Sequence, residues 1–223
     1  MAVNNDMLVI AITGGIGSGK SVAAGIISEA GYPVINTDDR AKELMVEDDK
    51  VREKLIAEFG DYIYNDDGTL NKSFLASKVF GDSSKSRRAL DRLNRIVHPA
   101  VIDDMIEKLD RLHEERQRMV FVESALVFES GINEGFDYII VIDAPEEIRL
   151  DRIEQRGGIS REDARSRMED QMSTEEKIRR ADFTIDNSGS MDDLRSAVNS
   201  LLEILKNLPP KDFSEFGGFI DKK

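Results

Sequence analysis

Leu8-Val-Ile-Ala-Ile-Thr-Gly-Gly-Ile-Gly-Ser-Gly-Lys-Ser21 is the stretch on which the fold turns. An apolar run of strand length, Leu8–Ile12, leads into glycines, and a pattern of helical spacing opens at Ser21. Gly14 through Ser21 fits G-x-x-x-x-G-K-[ST], in the strand-then-helix context that this motif requires. Glycines let the backbone curl so that successive N–H groups face one concavity able to hold phosphate oxygens. The helix that follows directs its positive end at the same anion. Lys20 can bridge β- and γ-phosphates, and the Ser21 hydroxyl can ligate Mg²⁺. The stretch reads as a phosphate-binding loop (P-loop) for a nucleoside triphosphate. Contacts are expected from Gly15, Ile16, Gly17, Ser18, Gly19, Lys20, Ser21 and Val22.

Outward from this loop, four further short runs are apolar on both faces: Pro33–Ile35, Met119–Val122, Tyr138–Ile142 and Phe183–Ile185. Longer amphipathic stretches separate them, near Ser21–Ala30, Asp39–Glu47, Lys85–Glu115, Glu146–Gln155, Arg161–Met172 and Met191–Leu205. Strands buried on both faces and alternating with helices predict an α/β fold, a doubly wound parallel sheet of about five strands. Strand signals lapse between Asp39 and Arg118, where Asn65-Asp-Asp-Gly68 marks a turn. The expected organisation is a nucleotide-binding core (1–38, 119–146, 181–207), a helical substrate-binding insertion (39–118) and a helical lid (147–180). Leu208-Pro-Pro210 ends the last helix, and 208–223 is expected to be a loosely attached tail.

The chain has 223 residues, a formal net charge of −13 and no cysteine. Disulfides, thiolate metal sites and a cysteine nucleophile are excluded. The acidity argues against nucleic acid or an anionic membrane as a partner, because both need a broad basic surface. It does not exclude a phosphate ligand, which amides, a helix terminus, Mg²⁺ and a few placed cations can bind locally. No run approaches the length of a membrane span, and Met-Ala-Val-Asn-Asn-Asp is not a signal peptide, so a soluble cytoplasmic protein is expected.

A P-loop alone does not separate kinases from GTPases or regulatory switches. No Asn-Lys-x-Asp segment follows a late strand, and Asp186-Asn-Ser-Gly189 matches D-x-x-G too late for a switch. Such a loop more naturally lines a nucleotide base. Asn36-Thr-Asp-Asp39 follows the second strand, where carboxyl ends of strands face the ligand crevice. Asp38 there could orient an acceptor hydroxyl and take its proton, although the same residues suit a helix cap. Arg149, Arg152 and Arg156 recur at intervals of three and four on one helical face. Residues 147–180 carry nine bases and nine acids, so ion pairs should occupy most lid arginines, leaving Arg152 and Arg156 for phosphate. Gly157-Gly158 is a natural hinge. With two histidines, a dedicated zinc site is implausible. Glu123 ends the third strand, either as an acid near the Mg²⁺ shell or without a role. A nucleoside monophosphate kinase and a non-catalytic nucleotide-binding regulator both remain open at this point.

These residues together resemble the dephospho-coenzyme A kinase family. The resemblance rests on Ile12–Ser21, Val34-Ile-Asn-Thr-Asp38, Glu123, Leu126-Val-Phe-Glu129 and His98-Pro99. It continues through Arg152-Ile-Glu-Gln-Arg156, Gln171-Met172 and Ala181-Asp-Phe-Thr-Ile-Asp-Asn-Ser-Gly189. It implies transfer of the ATP γ-phosphate to the ribose 3′-hydroxyl of dephospho-coenzyme A, the last step of coenzyme A biosynthesis. It places Asp38 at the catalytic base, Arg152 and Arg156 at lid arginines, Asn187 and Gly189 on the adenine loop, and Thr13 and His98 near the acceptor. The family usually has Asp-Ala-Asp where this chain has Asn36-Thr37-Asp38, and Pro-Leu-Leu-Phe-Glu where it has Ala125-Leu-Val-Phe-Glu129.

Overall fold

The computed structural model describes residues 7–79, 84–157, 159–169 and 171–211. Five strands form one parallel sheet in the order β2-β3-β1-β4-β5. They are β1 (Leu8–Thr13), β2 (Val34–Asn36), β3 (Met119–Glu123), β4 (Tyr138–Asp143) and β5 (Phe183–Asp186). Every residue of β1 and β3 is buried, which is why these segments read as unbroken apolar runs rather than alternating ones. Ile10, Ile12, Phe121, Ile140 and Ile142 pack into one core with α1 (Lys20–Glu29) and α9 (Met191–Leu205). Val9, Ala11, Val120, Val122 and Val141 point the other way and are equally buried.

By contact density the chain divides into residues 1–36 with 108–223, and residues 37–107. The second unit holds α2 (Thr37–Glu47), α3 (Asp49–Phe59), α4 (Lys72–Val79) and most of α5 (Ser84–Glu114). At 31 residues, α5 runs for about 46 Å. Leu44, Leu55, Ile63, Leu75, Val97 and Val101 make this unit's own core. Its turn forms at Asn65–Gly68, with Gly68 at φ 80° and Asn65 N–H donating to the Thr69 carbonyl at 2.8 Å.

Two expectations need correction. The helical stretch Arg161–Met172 stops early: α7 spans Arg161–Glu169, and the Ser173 side chain caps a separate α8 (Thr174–Arg180). The start of the tail is fastened rather than loose. Tyr138 donates its hydroxyl to the Pro209 carbonyl at 2.7 Å, and Lys211 N–H donates to Asp137 at 2.8 Å. Residues 212–223 of that tail, and Gly158 of the expected hinge, lie outside the described residues. No helix among the described residues is long and apolar enough to cross a membrane.

Candidate active site

The P-loop leaves β1 after Thr13 and enters α1 at Lys20. Gly19, at φ 97°, is the N-cap of α1; no side chain caps this helix, and no acid lies in its first turn. The positive end of α1 is therefore left for an external anion, whereas Ser190 and Asp193 close the start of α9 with a capping box. Gly14 has φ 151°, and a Cβ there would lie 2.2 Å from the Ile142 carbonyl oxygen on β4. Lys20 donates Nζ to the Gly15 carbonyl at 3.3 Å.

Ser21 donates its hydroxyl to Glu123 at 2.7 Å, and Asn36 donates Nδ2 to the other oxygen of the same carboxylate at 2.9 Å. Glu123 is 3% exposed. One buried carboxylate thus connects the ends of β2 and β3 to the start of α1, which gives Glu123 a definite place behind Ser21. The Ser21 hydroxyl and the Glu123 carboxylate offer oxygens, which fits a hard cation. Among the described residues no cluster of three or more His, Cys, Asp or Glu could hold a metal unaided. That composition suits Mg²⁺, which keeps several waters and takes other oxygens from phosphate.

Behind the loop stands α6 (Glu146–Arg156). Ile16, the apolar residue of the P-loop, packs with Leu150, Ile153 and Ala164 of α6 and α7, and its N–H donates to Gln171 at 3.3 Å. Asn187 donates Nδ2 to the Ser18 carbonyl at 2.8 Å, and Arg152 donates Nη2 to the Asn187 carbonyl at 2.8 Å. The P-loop, α6 and the segment after β5 are therefore joined at Ser18 and Gly19. Val22 packs on the core of the sheet, and its N–H donates to the Gly19 carbonyl at 3.0 Å. Thr13 is fully buried, its hydroxyl 3.5 Å from the Ala125 carbonyl. Gly189 is exposed beside the α9 cap. Arg156 is exposed at the end of α6, with no hydrogen bond or ion pair among the described residues.

Most other cations of residues 147–180 pair with acids, as their balance predicts. Arg161 binds Glu147, Asp151 and Glu154, and Arg165 binds Glu146 and Glu147. Lys177 is fully buried between the Glu129 carboxylate at 2.8 Å and the Ala125 carbonyl at 2.9 Å. Sequence reasoning gave Lys177 and Gln171 no role, and it passed over Arg149, which is nearly buried against Gly15. Helical spacing placed Arg149 with Arg152 and Arg156; it could not tell which of the three a neighbouring loop would cover.

In the second unit, Asp38 lies in the first turn of α2, where its charge complements the helix dipole. It is close enough to His98 of α5 for its charge to act on the imidazole. Burial lowers the His98 pKa below its ordinary value, and Asp38 only partly offsets that. Asp38 and His98, sixty positions apart, thus share one electrostatic environment.

A sequence model of the family described as Dephospho-CoA kinase matches residues 8–193. The chain belongs to that family. Members catalyse the last step of coenzyme A biosynthesis. Salinibacter ruber dephospho-CoA kinase is 39% identical over 85% of this chain and 93% of its own length. The Syntrophotalea carbinolica dephospho-CoA kinase is 36% identical, over 88% and 91%. Among solved structures, dephospho-CoA kinase from Campylobacter jejuni superposes with TM-score 0.65 at 30% identity, covering 88% of this chain and 96% of that one. A Thermus thermophilus protein superposes with TM-score 0.74 at 35% identity, covering 89% and 98%. A shikimate kinase from Acinetobacter baumannii, at 13% identity and TM-score 0.50 over 92% of this chain and 97% of its own, shares the P-loop kinase fold alone. The dephospho-CoA kinase family thus accounts for both the P-loop and the segments distant from it.

Proposed function

We propose that this chain transfers the γ-phosphate of ATP to the ribose 3′-hydroxyl of dephospho-coenzyme A, giving coenzyme A and ADP in the cytoplasm. The observation that carries this reading is the uncapped start of α1, with Lys20 and Ser21 at it, in a chain of the dephospho-CoA kinase family. The loop amides and Lys20 hold the β- and γ-phosphates. Ser21, backed by Glu123, is the residue that would hold Mg²⁺, which when bound neutralises charge between those phosphates. Asp38 orients the 3′-hydroxyl and takes its proton as the new O–P bond forms and the bond to ADP breaks. With its pKa lowered by burial, His98 can hydrogen-bond the acceptor without adding charge. Arg152 and Arg156 neutralise charge on the polyphosphate, and Asn187 with Gly189 lies beside the adenine. Residues 39–118 take the acceptor, and 147–180 act as the lid that keeps water from the phosphoryl group.

A coupled assay for ADP release tests the proposal. ADP should appear with ATP, Mg²⁺ and dephospho-coenzyme A together, and the product should carry the new phosphate at the 3′ position. Faster turnover with a nucleoside monophosphate would make the chain a kinase of that other class. Nucleotide binding without transfer to any acceptor would make it a regulator.

A further inference from the structure

We propose that Arg149 binds the terminal phosphate of the nucleotide, so that the site tells a triphosphate from a diphosphate; this rests on the ATP-binding role of the P-loop. Arg149 is in the first turn of α6, is 9% exposed, and its Nε has no hydrogen-bond partner. Among the described residues its guanidinium enters no ion pair, while Arg161 and Arg165 on the neighbouring helix are tied to carboxylates. A guanidinium cannot shed its charge to escape burial, so an unpaired one is costly unless an anion arrives.

Packing, not pairing, brings it to the loop. A Cβ on Gly17 would lie 2.7 Å from the Arg149 carbonyl, and one on Gly15 would lie 2.1 Å from its Nη1. The backbone of Arg149 is thus seated against Gly17, and its guanidinium lies directly on Gly15. Gly15 is also where Lys20 places its ammonium, and the lysine of this motif serves the β- and γ-phosphates. Arg152 stands at the other end of the loop: its Nη1, also without a partner, lies 4.0 Å from where a Gly19 Cβ would be. The two arginines divide the polyphosphate, Arg149 at the γ end and Arg152 toward the base. A cavity of about 250 Å³ opens beside Gly15, Arg149 and Thr174, its carboxylates on the exposed Glu146, Glu169 and Glu175.

Calorimetric titration of the wild type, R149Q, R149K and R152Q with Mg²⁺-ADP and a non-hydrolysable Mg²⁺-ATP analogue tests this division. R149Q should weaken the analogue roughly 10- to 100-fold, the range for a lost charge-assisted hydrogen bond. Its affinity for ADP should stay within about twofold, since ADP lacks the phosphate concerned. R149K, which keeps the charge and loses the fork, should fall between, and R152Q should weaken both ligands together. The nucleotide-free melting temperature is a second readout: R149Q should melt no lower than the wild type, because it removes an unpaired buried charge. Equal loss for both ligands, no loss for either, or a lower nucleotide-free melting temperature with an unchanged ATP-to-ADP ratio would overturn the proposal. Wild-type protein that binds neither nucleotide would instead refute the reading of the P-loop on which it rests.

Discussion

Asn187 donates Nδ2 to the carbonyl oxygen of Ser18 at 2.8 Å, joining the loop after the last strand to the loop after the first. The contact is buried and spans most of the chain, so the P-loop keeps its curl partly through a residue that follows it by 169 positions. A buried carbonyl stripped of such a donor loses about 1–3 kcal/mol.

N187A should therefore lose about 1–2 kcal/mol of stability and bind ATP and ADP more weakly by similar factors. Urea unfolding with parallel titrations of both nucleotides measures this. Unchanged stability would mean that the loop holds its shape without Asn187.

For Asp38, the proposed base, replacement by Asn keeps the shape and removes the carboxylate. In D38N, kcat should fall by roughly 100-fold or more, the usual contribution of a positioned base, while ATP affinity stays within about twofold. Steady-state kinetics with direct ATP titration separates the two. Near-normal turnover would remove Asp38 from proton transfer.

Adjacent glycines of the P-loop should respond differently to alanine. In G14A the new methyl meets the fixed carbonyl of Ile142 at positive φ, and the loss of stability should be about 3 kcal/mol. In G15A it meets only the movable end of Arg149, and the loss should be under about 1 kcal/mol. Urea midpoints of the two variants give the comparison, and equal losses would contradict it.

The histidine of α5 gives a pH dependence of stability. Its folded pKa is lowered, so the unfolded chain binds its proton first as pH falls. The sign follows: His98 costs nothing at pH 7.5 and increasingly destabilises the fold as pH drops through the unfolded value of 6.5. Urea unfolding at pH 7.5 and 5.5 should show a smaller drop for H98Q than for the wild type. His113 remains in both proteins, so the difference belongs to His98; identical drops would show that its burial has no energetic consequence.

How much of this was legible beforehand varies with the kind of contact. The strands were, because β1 and β3 are buried on both faces and leave unbroken apolar runs. The P-loop was too, since the glycines that let it curl and the helix it starts all lie within the motif, although Asn187 adds a distant support. The break between α7 and α8 was not: the 3.6-residue pattern runs on through Met172, although α7 ends at Glu169 and the Ser173 cap starts a new helix. The arginines of residues 147–180 were legible as a group but not one by one. Arg161 settles among three acids, Arg156 points to solvent, and Arg149 lies under the P-loop.

By itself, the sequence determined a parallel α/β sheet, a loop built for phosphate and membership of a kinase family. Each follows from local periodicity, local backbone freedom or motifs in a fixed order. Tertiary structure alone decided which polar groups face that loop. Asn187, Glu123 and Arg149 reach it from 100 to 170 positions away, and only the packing of β3 and β5 in the sheet and of α6 on the loop selects them. Burial is a property of the packed chain: among the described residues it leaves the Arg149 guanidinium without an ion pair, and it lowers the His98 pKa below its ordinary value.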